Sequence, residues 1–127
     1  MPYVKETSKS VDETASALEA AAKRHGFGVL HRYDFRRTLA EKGFSIPGEC
    51  RVFEICAPQK AAEVLRRDMG VNMALPCRIS VYEEAGRTRV GMIPPTALLA
   101  LVSSSPDIQE AAEEVERETA AIIDEAV

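Results

Sequence analysis

Apolar and polar residues alternate most regularly between Arg51 and Pro94, and the rest of the chain reads as packing around that stretch. Cys50 to Cys56, Leu75 to Glu84 and Arg87 to Ile93 carry the period of two that places successive side chains on opposite faces of a strand. The Ala85-Gly86 pair joins the last two as a tight hairpin. Upstream, Tyr3 to Thr7 and Gly28 to Tyr33 read as two further strands.

Between the strands the period lengthens to that of a helix. Ser10-Val11-Asp12-Glu13 matches a capping box, Val11, Ala15, Leu18 and Ala22 follow at helical spacing, and Gly26 stands where a left-handed residue ends the helix. Asp34 is placed to cap a short helix through Phe35, Leu39 and Ala40, ended by Gly43. Pro58 opens a helix whose expected buried face is Ala61, Ala62, Leu65 and Met69. Ser105-Pro106 opens the last one, with Ile108, Ala111, Ala112, Val115, Ile122 and Ile123 along one side.

These elements predict an α+β fold, a two-layer sandwich built from β-α-β units plus a hairpin, with an acidic C-terminal helix. The expected unit is a single domain over residues 1–127, with its core at 3–95 and a helical extension at 96–127. Two successive β-α-β units suggest the split arrangement of ferredoxin-like sandwiches, with helices Ser10–His25 and Pro58–Met69 on one side of the sheet.

Charge changes this picture at one place. The net charge is −4, but from Asp107 to Val127 eight acids face Arg117 alone, leaving −7 on the last helix and +3 on the remainder. A pI near 5.3 argues against nucleic acid and anionic membranes as partners. The apolar run Met92 to Val102 is broken by Pro94-Pro95 and is too short to cross a bilayer. The polar start of the chain and the odd count of three cysteines point to a cytoplasmic protein with reduced thiols.

The order Gly26-Phe27-Gly28-Val29-Leu30, Asp34, Arg51-Val52, Ile55-Cys56, Pro58, Leu65, Leu75-Pro76-Cys77, Val81-Tyr82-Glu83, Gly86, Thr88 and Val90 resembles the domain-of-unknown-function 302 family, from about Tyr3 to Pro95. The resemblance implies a compact α+β domain and brings no activity with it.

Candidate chemistry centres on the cysteines and one sheet face. Cys56 precedes Ala57-Pro58, so it lies beside a helix N-terminus, a position that lowers a thiol pKa. It is the candidate nucleophile, weighed against a plain buried strand residue. With the strands of a β-α-β unit parallel, Cys56 and Cys77 fall at opposite sheet ends, ~20 Å apart. That argues against a shared intrachain metal or disulfide on this topology, leaving only a dimer or a different topology to bring the two thiols together, and no metal or cofactor is expected. Glu54, Cys56, Arg78, Tyr82 and Arg89 share strand parity, giving either a solvated face or a groove for a small anionic ligand. The function expected is a ligand-binding or interaction module without turnover. It is a homodimer through the last helix or the exposed sheet. A thiol-dependent enzyme or redox sensor using Cys56 is the alternative.

Overall fold

In the computed structural model, which describes residues 1–127, the strands are β1 (Tyr3–Thr7), β2 (Gly28–Asp34), β3 (Cys50–Cys56), β4 (Cys77–Glu84) and β5 (Arg87–Met92). They form one sheet in the order β1-β5-β4-β3-β2, and every neighbouring pair is antiparallel. The helices are α1 (Val11–Arg24), α2 (Phe35–Glu41), α3 (Pro58–Arg67), α4 (Pro95–Ala100) and α5 (Pro106–Ala126), with a 3-10 helix at Met69–Ala74.

The α+β class and the long acidic last helix are as expected, but the strand directions are not. β1 and β2 run the same way at opposite edges of the sheet, so α1 carries the chain across three intervening strands. β3 and β4 are adjacent and antiparallel, because α3 leads away from the sheet and the 3-10 helix, packed against α3, returns the chain to the same end. A ferredoxin-like order is therefore excluded, and so is the parallel geometry that separated the cysteines.

The capping box forms as expected. The Glu13 amide donates to Ser10 Oγ at 3.1 Å, and the Ser10 amide donates to the Glu13 carboxylate at 3.1 Å. Val11, Ala15, Leu18 and Ala22 of α1 then meet Phe53, Ile55, Ile79, Val81 and Val90 of the sheet in the main core. Ile122, Ile123 and Ala126 of α5 complete that same core, and each is fully buried. A second, smaller cluster joins Val64 of α3, Val71 of the 3-10 helix and Leu99 of α4 to Ile108, Ala111 and Ala112 of α5.

The last helix is thus an internal wall of the molecule rather than an appendage. Its apolar stripe, about 1.5–3 kcal/mol for each large side chain, is covered by the chain's own body. Its acids are answered there too: Arg24 meets Glu125 at 3.0 Å, Arg67 meets Asp107 at 3.0 Å, and Lys60 pairs with Glu114. That stripe is covered within one chain, so by itself it gives no argument for a second copy.

α3 packs on α5 and the 3-10 helix, not directly over the sheet. It stops at Arg67, where Asp68 turns extended and accepts from the Gly70 amide at 2.9 Å to cap the 3-10 helix. Met69, expected on the buried face, is consequently 70% exposed. α4 lies in the apolar run that ends at Val102, its first turn made by Pro95.

Candidate functional site

Strand register sorts the chemistry-bearing residues by face. Phe53, Ile55, Ile79, Val81 and Val90 point to the helices, so their neighbours Val52, Glu54, Arg78, Tyr82 and Arg89 point to the other side. Glu54 lies opposite Arg78, and Tyr82 opposite Arg89. The sheet does gather the polar residues expected on one face, but Glu54 and Arg89 are engaged by neighbours outside that set. Tyr33 donates its hydroxyl to Glu54 at 2.7 Å, which pushes the Tyr33 pKa up. Arg89 bridges Glu6 at 3.1 Å and Glu84 at 3.0 Å. Of the residues expected at a site, Cys56 and Arg78 alone also line an apolar cavity.

That cavity occupies about 310 Å³ at one end of the sheet. It opens where β3 stops and β4 starts, which the antiparallel pairing puts side by side. Ile55, Cys56 and Ala57 meet Pro76, Cys77 and Arg78 there, with the Leu75–Pro76 bond cis. Ala61, Val64 and Leu65 of α3, Leu98 and Leu99 of α4, and Ala111 and Val115 of α5 supply the helical walls. The space lies along the seam between the two core clusters, some lining residues belonging to one and some to the other. Seventeen of its 22 lining residues are hydrophobic. Protein interiors otherwise pack with few voids larger than a water molecule.

The rim is set by an irregularity in β2. The pairing of β2 with β3 shifts register between Val29 and His31, leaving Leu30 without a partner. Such a bulge re-aims a side chain, and here Leu30 lines the cavity while remaining 52% exposed. Ile93, just past β5, does the same at 51%. The charged lining residues are Lys60, paired with Glu114, and Arg78, which is exposed.

The thiols do not behave as the helix N-terminus suggested. Burial pushes the Cys56 thiol above its ordinary pKa, with no compensating cation or donor beside it. Cys77 is pushed up to about 11, first by burial and then by the proximity of Cys56. The pair expected ~20 Å apart therefore lies at one sheet end, lining one cavity as free cysteines. Cys50, at the start of β3, is likewise free and raised by burial. No group of three or more His, Cys, Asp or Glu side chains is arranged to hold a metal ion.

Sequence reasoning missed Leu30, Ile93 and the whole cavity. Its lining comes from eight elements, and the register shift that turns Leu30 out of β2 left no signal in the sequence. His25 stands at the C-cap of α1. It bridges two glutamates of α5, Glu118 at 2.6 Å through Nδ1 and Glu125 through Nε2, and both raise its pKa, Glu125 more.

A family model described as "Domain of unknown function DUF302" matches residues 3–126. The match continues past Pro95 through α5, in keeping with that helix's place in the core. A crystal structure of an uncharacterized conserved DUF302 protein from Bacillus stearothermophilus superposes with a TM-score of 0.94 at 36% sequence identity, covering 99% of this chain and 98% of that one. No curated protein matches the chain. No helix is long and apolar enough to cross a membrane.

Proposed function

The chain belongs to the DUF302 family, and from that premise we propose that it is a small-ligand-binding domain without turnover, whose site is the apolar cavity at the end of the sheet. The cavity itself carries this reading. A space of about 310 Å³ with 17 hydrophobic lining residues out of 22 falls at the lower end of ligand-pocket sizes, and such pockets are mostly apolar with few polar groups. From the anticipated sheet-face site, Cys56 and Arg78 are in the cavity lining, while Glu54, Tyr82 and Arg89 belong to the outer surface of the sheet, where Glu54 is bonded to Tyr33 and Arg89 to Glu6 and Glu84. The thiol-dependent alternative needs a stabilised thiolate, and burial opposes one at both Cys56 and Cys77.

Titration with the neutral fluorophore N-phenylnaphthylamine tests the site. We expect a saturable rise in emission for the wild-type protein. Ala61→Trp, which fills the cavity from α3, is expected to remove it while leaving the circular dichroism spectrum intact. A wild-type protein that shows no saturable binding overturns the proposal.

The same proposal includes a cytoplasmic location, in keeping with three free cysteines, and a homodimer. With α5 enclosed by its own chain, the surface left for twofold pairing is the sheet face opposite the helices. There Val4 and Tyr33 are 40% and 42% exposed.

A further inference from the structure

Resting on the cavity as the binding site, we propose that its ligand is uncharged, a hydrocarbon chain or aryl ring that carries no ionised group. The state of each polar lining residue points this way. Besides the two thiols, the lining contains Lys60, Asn72 and Arg78, and no aspartate or glutamate. Each of the three is committed to another partner or faces another way.

Lys60 reaches from α3 to pair with Glu114 of α5, and Glu63 and Glu118 also stand close enough to raise its pKa. An anionic head brought to this ammonium meets those carboxylates, and a cationic head meets the ammonium itself. Asn72 donates its side-chain amide to the Met69 carbonyl at 2.7 Å, inside the 3-10 helix. Arg78 follows Cys77 in β4, and strand alternation turns its side chain to the sheet face away from the helical walls. There it stands opposite Glu54, and its charge acts on Tyr33 and Cys50.

The two cavity thiols report the field inside. Burial is the first cause of the raised pKa at both, and the other cause at Cys77 is Cys56. No cation lowers either thiol and no carboxylate raises it. The interior therefore offers a partner to neither sign of charge. An ionised group brought in would lose its hydration with nothing to replace it. The mouth gives the same answer. Leu30, turned out by the β2 bulge, and Ile93 each leave about half their surface in water. A ligand end that reaches this rim meets apolar side chains, and it gains burial there only if it is apolar too.

Calorimetric titration of the full chain near neutral pH with octanol, octanoate and octylammonium tests the charge of the ligand, since one tail then carries a neutral, an anionic and a cationic head. Octanol is expected to bind at least roughly tenfold more tightly than either ion, because only the ions lose hydration unpaired. Lys60→Gln and Arg78→Gln should each leave that order unchanged. Either ion binding within tenfold of octanol overturns the inference and leaves the cavity as a site. A fall in octanoate affinity in either variant, with octanol unaffected, also overturns it, because it marks an anchor for a charged head. Failure of all three to bind the wild-type protein overturns the cavity itself, and the proposed function with it.

Discussion

Cys56 and Cys77 adjoin at one sheet end, and burial raises both thiols, Cys77 to about 11. Alkylation by iodoacetamide should therefore be slow in the native protein and climb with pH beyond the ~8.5 of a free thiol. Cys77 should react after Cys56. A rate that levels off below pH 8 would restore Cys56 as a reactive thiol. His25 gives a pH dependence of definite sign. Its partners Glu125 and Glu118 raise its pKa above the ordinary 6.5, so the folded state holds the proton more firmly than the unfolded one. The stability it contributes is present in full below pH 6.5 and is lost as pH rises through the folded value. The site is partly open to solvent, so the effect is modest. His25→Gln should lower the melting temperature by roughly 2–5 °C at pH 5.5 and by less at pH 9. An equal loss at both would show that the proton has no part in it.

At the scale of elements, the capping box, the proline-started helices and the hairpin follow from local sequence and appear where local sequence puts them. What each helix packs against is a separate matter. α5 has an apolar stripe and a charge of −7, which suit a partner subunit as well as they suit the chain's own body. In the fold it is fastened to α1 and the sheet through Ile122 and Ile123, both with no exposed surface. Ile122→Ala should cost about 2–5 kcal/mol, measured by urea unfolding, as a large-to-small change in a filled core does. A loss under 1 kcal/mol would mean that α5 frays from the core in solution.

For the whole molecule, the open sheet face is the place to look for association. Light scattering at micromolar concentration is expected to give twice the 13.9 kDa of one chain, and Val4→Glu to halve it. A single-chain mass for the wild type removes the dimer without touching the cavity. The cavity is likewise a property of the whole. Ile55, Leu65, Leu98 and Val115 are ordinary core residues in their own elements, and only where two clusters fail to merge do they enclose space.

Periods of two and of 3.6 residues, with the caps and turns between them, determined the five strands and four of the helices, and hence the α+β class, because those signals act over a few residues; α4 and the 3-10 helix, six residues each, are too short to show a period. The direction of β4 against β3 was beyond their reach. A helix between two strands permits either direction, and the choice fell to the 3-10 helix at Met69–Ala74, whose return path depends on packing with α3. From that one choice came the meeting of Cys56 with Cys77 and the apolar cavity beside them. Such contacts join residues twenty or more apart along the chain, and only the folded packing of sheet and helices brings them together.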